Sequence, residues 1–455
     1  MIIKNFNQLA INKERKIALA MIENGLKALN YRKVIQEKFF NKYLDKVKKY
    51  KNVYLIGFGK GSAQVANILK RKIKFREIYV IDVIGKYYRG THPLPSLKNY
   101  QFTKKIIERF SGQLTKNDLV IVVVCGGGSA MLVQPKISLK QYIQINQQLL
   151  KSGANIYEMN TIRKHLDLVK GGGLAKILYP AKLISLIFSD VPGNDLSFIA
   201  SGPTVKDKTT IKDALGIIKK YKLKIKKEDL IETPKENKYF QNIKNLLVLS
   251  NLTALRTMKE KAERLGLKAK ILTDNLRGDV KDVAKFLLTE IKNFKGNILL
   301  AGGETTVKVK GQGKGGRNQE LVIWFLKYLA EETDLTRNVR NYRNINNNLG
   351  QNISIYSVSS VRSVSVSGIS VPSSILIISI NSDGWDNTPF AGAIGDKITL
   401  EKLKRLNLDV DYFLNNNNSY AFFRKVKDGI ITGRLSINVS DLILVYNLNN
   451  DRGTS

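Results

Sequence analysis

Two cations in this chain lie beside glycine-rich loops, where each could bind the oxygens of a phosphate group. Lys60 lies in the loop Gly57–Ser62, between an apolar run and a helical pattern. Arg317 follows the loop Gly311–Gly316 at the predicted start of another helix. Glycine lets the backbone approach a ligand closely, free N–H groups at a helix N-terminus attract anions, and the arginine fork matches phosphate oxygens. The spacing therefore predicts two anion-binding loops, each with its own positive charge.

A third glycine cluster, Gly126–Gly128 followed by Ser129, comes directly after the unbroken apolar run Leu119–Cys125. Such a run is typical of a strand that is buried on both faces of a parallel sheet. Open α/β sheets bind ligands at the C-terminal ends of their strands, so we expect Gly126–Ser129 to contact a ligand. The sequence supplies Ser129 with no base, and covalent catalysis by this serine is not expected.

Three carboxylates come at or near the ends of predicted strands. Asp190 follows the run Leu183–Ser189, Glu304 follows Gly302 and Gly303, and Asp383 follows another apolar run. Carboxylates in such places can hold a hard cation such as Mg²⁺ or Mn²⁺, or accept a proton. Asp190 could simply cap its Pro-Gly turn, but we favour a functional role for it.

Alternating strand and helix patterns must position these residues. The alternation up to about Val205 predicts a doubly wound parallel sheet. We expect a Rossmann-like N-terminal domain over residues 1–242, a connecting α/β segment over 243–297 and a C-terminal domain over 298–446. An insertion, residues 334–374, is rich in Asn and Arg and then alternates Ser with Val, and it has no functional interpretation.

Composition excludes several kinds of site. The 455 residues include one cysteine, Cys125, and two histidines, so no intrachain disulfide, zinc–cysteine cluster or histidine-rich metal site is possible. No apolar run reaches the length of a membrane span, and the N-terminus does not resemble a signal peptide. We therefore expect a cytoplasmic protein that does not bind a membrane.

The formal net charge of +37 favours anionic partners. The basic clusters, however, are spread along the chain, and they accompany no helix-turn-helix, RRM or zinc-finger pattern. We expect anionic metabolites as ligands and no dedicated nucleic-acid function. The protein could also form a homodimer.

Seven motifs in this order resemble the glycerate 2-kinase family, whose C-terminal part is called the MOFRL domain. The motifs are GFGKGSA, GTHPLP, CGGGSAML, NTIRKHLDLVKGGGLA, SDVPGNDLSFIASGPTV, GGETTVKVKGQGKGGRNQEL and SDGWDN…AGAIGD, and the resemblance extends from about Phe6 to Tyr446. It implies two α/β domains, the second smaller than the first. It also implies ATP-dependent phosphorylation of D-glycerate to 2-phosphoglycerate with Mg²⁺ or Mn²⁺.

The resemblance implies roles for individual residues. We expect catalysis by Lys60, Arg317 and Asp190, and metal binding by Asp190, Glu304 and Asp383. The glycerate carboxylate needs a cation of its own, for which Arg163 and Lys170 are candidates. The residues expected to bind the nucleotide are Gly57, Gly59, Gly61, Ser62, Gly126, Gly127, Gly128, Ser129, Gly302, Gly303, Gly315, Gly316 and Asn318.

The chain departs from the family pattern in three places, which are Asn381–Gly384, Asn417–Tyr420 and Thr432–Val439. These departures leave open a catalytically inactive, metabolite-binding relative. A second alternative is an NAD(P)H-dependent hydroxypyruvate reductase, in which Gly57–Ser62 would be the dinucleotide turn and Asp82 would bind the ribose.

Overall fold

The computed structural model describes residues 1–331 and 375–453, and the expected insertion 334–374 lies outside them. Contacts divide the chain into two compact units. The N-terminal unit is Leu29–Ser250, and the C-terminal unit combines Met1–Ala28 with Asn251–Ser455. No helix in the described part of the chain is long and apolar enough to cross a membrane.

The division places the first 28 residues with the C-terminal unit, whereas the sequence placed them in the N-terminal domain. These residues form helices α1 (Phe6–Leu9) and α2 (Lys13–Ala28), and α2 packs along α12 (Asn251–Arg264). The packing is close, because a Cβ at Gly25 would lie 2.8 Å from the Met258 side chain. The fully buried Arg15 binds Asp396 and Asp428 of the same unit.

The N-terminal unit is built on a six-stranded sheet in the order β3-β2-β1-β4-β5-β6, and every neighbouring pair is parallel. This is the strand order of a Rossmann fold, and it confirms the expected doubly wound sheet. The strands are β1 (Asn52–Phe58), β2 (Glu77–Asp82), β3 (Tyr88–Arg89), β4 (Asp118–Val124), β5 (Lys182–Phe188) and β6 (Ile243–Leu249).

Helices pack around this sheet and bury its apolar runs, and β4 is buried along its whole length. The helices are α3 (Tyr31–Ile35), α4 (Asn41–Lys48), α5 (Ser62–Leu69), α6 (Leu97–Phe110), α7 (Gly128–Met131), α8 (Leu139–Lys151), α9 (Ile156–Leu166), α10 (Gly173–Ile177) and α11 (Ile211–Tyr221). A π-helical turn, Gln36–Phe40, joins α3 to α4, and short 3₁₀ turns cover Ile199–Ser201, Lys227–Asp229 and Asn237–Tyr239.

The C-terminal unit contains a mixed sheet in the order β11-β10-β9-β12-β8-β7, in which β7 and β8 are parallel and the other neighbours are antiparallel. Its strands are β7 (Ala269–Asp279), β8 (Ile298–Thr306), β9 (Ile375–Asn381), β10 (Gly392–Gly395), β11 (Gly429–Ile430) and β12 (Asp441–Asn447). Its remaining helices are α13 (Val280–Asn293), α14 (residues 317–331), α15 (Lys397–Arg405), α16 (Val410–Asn415) and α17 (Ser419–Val426), and a 3₁₀ turn covers Leu448–Gly453.

The sequence suggests a Gly-Gly-Glu turn after the first part of β8, and this expectation is wrong. Gly302 and Gly303 lie inside the strand and pair with Leu442 and Asp441 of β12. A Cβ at Gly303 would overlap the backbone of Leu276 in β7. A Cβ at Gly302 would lie 2.8 Å from the Asn251 side chain of α12, so both glycines serve close packing against β8, and the chain does not turn there.

Candidate functional site

Lys60 lies in the turn between β1 and α5, and its side chain is exposed. Gly59 and Gly61 on either side have φ values of 105° and 92°, which favour glycine. The Lys60 N–H group donates to the carbonyl of Gly126 over 2.8 Å. The Lys60 loop and the Gly126 loop are therefore neighbours, as their shared place at the C-terminal ends of parallel strands predicts.

A carboxylate of the chain itself caps the start of α5. Asp82, at the end of β2, accepts the N–H groups of Gly61 and Ala63 over 2.9 and 3.0 Å, and that of Val83 over 2.7 Å. Burial raises the pKa of Asp82, and these hydrogen bonds oppose the increase. The Gly61 and Ala63 N–H groups, which we expected to be free for an anionic ligand, thus already donate to Asp82. The other predicted residues there also face inward, because Gly57 lies within β1 and the Ser62 hydroxyl donates to Ile81.

The Gly126 loop contacts Asp190 as well as Lys60. A Cβ at Gly126 would overlap the carboxylate of Asp190, so the two residues are in direct contact. A Cβ at Gly127 would lie 2.6 Å from Cδ2 and 2.9 Å from Nε2 of His92. The structure thus groups three predicted residues with a histidine that received no role from the sequence. The GTHPLP motif contains this histidine, but it lies far from Gly126–Gly128 in sequence, so the sequence did not show that they are neighbours.

Lys170 supports the end of the Gly126 loop. Its buried ammonium group donates to the carbonyls of Ser129 and Leu132, each over 2.8 Å. Burial lowers the pKa of Lys170, while Asp167, at 3.8 Å, opposes that change. Arg163, the other candidate for the substrate carboxylate, donates to Asn146. Substrate binding by Lys170 and Arg163 stays a prediction, since the contacts of Lys170 are those of an internal support.

The Ser129 hydroxyl lies 3.1 Å from the hydroxyl of Ser201, which donates to Asn160 over 2.8 Å. Both partners belong to motifs that the sequence placed near the site. This chain of polar side chains fixes the orientation of Ser129 without giving it a basic partner.

In the C-terminal unit, Arg317 is held between two carboxylates. Its Nε and Nη2 donate to Asp441 over 2.7 and 3.0 Å, and its Nη1 donates to Glu304 over 2.9 Å. Burial alone would lower the pKa of Arg317, but Asp441 and Glu304 raise it, so the guanidinium stays charged. Arg317 and Glu304 line a cavity of about 420 Å³, with Glu320, Trp385, Asp386 and Asn417 also in its wall.

The N-terminus of α14 is also capped by a carboxylate of the chain. Buried Asp386 accepts the N–H groups of Asn318 and Gln319 over 3.2 and 3.0 Å, and the Gln319 amide over 3.0 Å. The Gly316 N–H donates to the Ser419 hydroxyl over 3.3 Å. The N–H groups of Gly316, Asn318 and Gln319 are therefore engaged within the chain. The Asn318 side chain is also used, because it donates to Asp441 over 2.9 Å.

The glycine loop before α14 is fastened to the turn between α16 and α17. The Asn417 side chain accepts the N–H groups of Lys310 and Gly311 over 2.7 and 2.9 Å, and it donates to Glu320 over 3.2 Å. A Cβ at Gly315 would overlap the Ser419 hydroxyl. The segment Asn417–Tyr420, which departs from the family motif, thus holds this loop in place. Sequence reasoning missed Asn417 as a supporting residue.

The predicted metal ligands are distributed over both units. Asp190 belongs to the N-terminal unit, and Glu304 and Asp383 belong to the C-terminal unit. Glu304 binds Arg317, and the Asp383 carboxylate accepts the Trp385 N–H over 2.9 Å. Within the described residues, no group of three or more His, Cys, Asp or Glu side chains could hold a metal ion. Metal binding by these three residues stays a prediction.

The altered loop Thr432–Val439 packs against the turn that carries Asp383. The Leu435 N–H donates to the Asp383 carbonyl over 2.7 Å, and the Arg434 guanidinium lies 4.1 Å from the centroid of the Trp385 ring. This loop therefore packs against the wall of the cavity although its sequence departs from the family pattern.

Comparisons with known proteins agree with this architecture. Residues 17–233 match a family described as a domain of unknown function, DUF4147, and residues 297–341 and 351–441 match the MOFRL family. A glycerate 2-kinase of Pyrococcus horikoshii is 31% identical over 94% of this chain and 96% of its own length. An Agrobacterium vitis protein named for hydroxypyruvate reductase activity is 33% identical over 78% of this chain and 75% of its own length. The crystal structure of a Thermotoga maritima glycerate kinase superimposes with a TM-score of 0.78 and 29% identity, covering 95% of this chain and 99% of that one.

Proposed function

Because the chain belongs to the glycerate 2-kinase family, whose C-terminal part is the MOFRL domain, we propose that it transfers the γ-phosphoryl group of ATP to the 2-hydroxyl of D-glycerate. The observation that carries the proposal is the grouping of Lys60, Asp190 and the Gly126 loop at the C-terminal ends of parallel strands. This group combines a cation, a carboxylate and a glycine loop whose backbone a ligand can approach closely, and it lies where such sheets bind ligands.

Phosphoryl transfer depends mainly on positioning and on charge stabilisation. Lys60 supplies an exposed ammonium group, and Arg317 supplies a guanidinium whose charge is secured by Asp441. The N–H groups of Gly126 and Gly127 donate to no other described residue, in contrast to those of Gly61 and Gly316. In this proposal, Gly126 and Gly127 donate to phosphate oxygens while Lys60 balances their charge.

The residues present fit a magnesium ion that is only partly bound by protein. Mg²⁺ in kinases commonly takes one or two carboxylates, and substrate phosphates and water complete its shell. Asp190, in contact with Gly126, is the carboxylate that would hold it near the phosphates. When bound, the ion would neutralise charge on the transferred group. Mn²⁺ would suit the same oxygen ligands.

The position of Asp82 disfavours the hydroxypyruvate reductase alternative. A dinucleotide-binding site would need this carboxylate for a ribose hydroxyl. Asp82 is 1% exposed and accepts three backbone N–H groups. Binding a ribose would require the start of α5 to lose its cap.

An assay of the purified protein tests the proposed function. With ATP, Mg²⁺ and D-glycerate, ADP should form only when all three are present. Enolase should consume the product directly, since it acts on 2-phosphoglycerate. NADH oxidation with hydroxypyruvate and no glycerate-dependent ADP would contradict the proposal. We also propose a cytoplasmic location and keep the homodimer as a prediction for sedimentation analysis.

A further inference from the structure

His92 lies beside the Gly126 loop, and its imidazole ring is accessible. Its imidazole packs on Gly127, where an added Cβ would come within 2.9 Å of Nε2. The side chain is exposed, and the ring makes no hydrogen bond to any described residue. Asp190 contacts the adjacent Gly126. A histidine without a structural partner thus borders the place where the proposed function puts the phosphates.

The loop that carries His92 is anchored to the Gly126 loop through Asn99. The buried Asn99 amide donates to the Thr91 carbonyl over 2.9 Å, and its oxygen accepts the Thr91 N–H over 3.0 Å. The same amide donates to the Ala130 carbonyl in α7 over 2.9 Å. Because α7 begins at Gly128, these bonds hold the backbone next to His92 in place relative to the Gly126 loop. Such fixed geometry is what a group that transfers a proton requires.

We infer that His92 is a catalytic residue that accepts the proton of the glycerate 2-hydroxyl. This inference rests on the proposed kinase function. As the proton moves to the imidazole nitrogen, the hydroxyl oxygen forms a bond to the γ-phosphorus. The bond from the γ-phosphorus to the bridging oxygen breaks, and its electron pair leaves with ADP. His92 then returns the proton to solvent.

The charges around His92 suit this role. Lys60 approaches from the β1–α5 turn, and Asp190 packs on the neighbouring Gly126. Partial burial and the charge of Lys60 lower the pKa of His92 below its ordinary value of 6.5. The ring is therefore neutral at pH 7 and can accept a proton, whereas a free carboxylate is a weaker base.

Chemical rescue tests the inference. His92→Ala should lower kcat by about 10²-fold or more, the usual contribution of general acid–base catalysis. Added imidazole should restore part of that rate in proportion to its neutral form. It should not accelerate the wild-type enzyme or Arg317→Lys, which serve as controls. A fully active His92→Ala variant, or a folded but slow one that imidazole cannot rescue, would overturn the inference.

A second measurement on the wild-type protein does not depend on the folding of a variant. The chain has only two histidines, and His165 is buried, so selective ¹⁵N labelling reports His92 directly. D-glycerate added with a non-hydrolysable ATP analogue should shift the His92 signals and leave those of His165 nearly unchanged. No response of His92 in an enzyme that turns over would refute its role. A wild-type enzyme without glycerate-dependent ADP release would instead refute the proposed function.

Discussion

Asp441 holds Arg317 by two hydrogen bonds, 2.7 Å from Nε to Oδ2 and 3.0 Å from Nη2 to Oδ1, across 124 positions of sequence. The carboxylate is fully buried, while the arginine side chain is 25% exposed and faces the cavity. The buried Asp441 carboxylate therefore fixes the orientation of the Arg317 guanidinium, which lines the cavity.

Arg317→Lys should lower kcat by about 10²–10³-fold, because lysine keeps the charge but loses the planar fork. The sequence alone suggests that stability would be nearly unaffected. The structure predicts a loss of roughly 1–2 kcal/mol in the free energy of unfolding, since the charged hydrogen bonds to Asp441 cannot all be replaced. Kinetics and urea unfolding measure the two effects. Arg264→Lys, on the surface of α12, is the control, and normal turnover with reduced stability would mean that Arg317 is structural only.

Asp441 should make stability depend on pH. Burial raises its pKa in the folded protein to about 6, above the ordinary value of 3.8, although Arg317 opposes the increase. The folded state thus binds the proton more tightly, so this contribution is complete below about pH 4 and is lost as the pH rises through about 6. At about 1.4 kcal/mol per pKa unit, the loss is roughly 3 kcal/mol at most.

Asp441→Asn removes that titration, so the stability difference between wild type and variant should shift in favour of the variant from pH 4 to pH 7. Urea unfolding at several pH values measures the difference. The exposed Asp282→Asn variant should show no such trend. A pH-independent difference for Asp441→Asn would mean that the buried carboxylate keeps its ordinary pKa.

Asn417→Ala should loosen the glycine loop before α14. It removes the acceptor of the Lys310 and Gly311 N–H groups, and because water can reach this partly exposed backbone, the cost is about 1 kcal/mol per hydrogen bond. Hydrogen exchange at these two amides should accelerate, and kcat/KM should fall. Asn417→Asp keeps the acceptor but places a carboxylate beside Glu320, whose pKa is already raised by burial, so its defect should ease at low pH. Unchanged exchange in Asn417→Ala would show that other contacts hold the loop.

Asp190→Asn separates metal binding from proton transfer. If Asp190 holds Mg²⁺, the neutral isostere should raise the Mg²⁺ concentration needed for half-maximal rate. If Asp190 is the base, kcat should instead stay low at saturating Mg²⁺, with an altered pH profile. The control is Asp195→Asn, because exposed Asp195 accepts the Ser197 N–H in the same loop. Equal behaviour of the two variants would exclude a special role for Asp190.

Much of the N-terminal unit could be predicted from sequence. The runs that became β1, β4 and β5 are mostly apolar, and Ser185 is the polar exception inside β5, because strands buried on both faces have no polar side. The glycine loops at their C-terminal ends followed from the same pattern, whereas the structure added that Gly126 contacts both Lys60 and Asp190. The family assignment is confirmed by relatives that match nearly the whole chain.

The partners of these groups were decided only by the tertiary structure. Asp82 caps α5 from 21 positions away, and Asp386 caps α14 from 68 positions away. At both helix N-termini a carboxylate of the chain therefore occupies the place that the sequence assigned to a ligand phosphate. Gly302 and Gly303, which suggest a turn, are needed inside β8 because the Asn251 side chain of α12 approaches Gly302 and the Leu276 backbone of β7 approaches Gly303. Periodicity and glycine spacing report which residues are buried and where the backbone can bend. They do not report which distant side chain fills a given hydrogen bond, because that depends on how segments remote in sequence pack together.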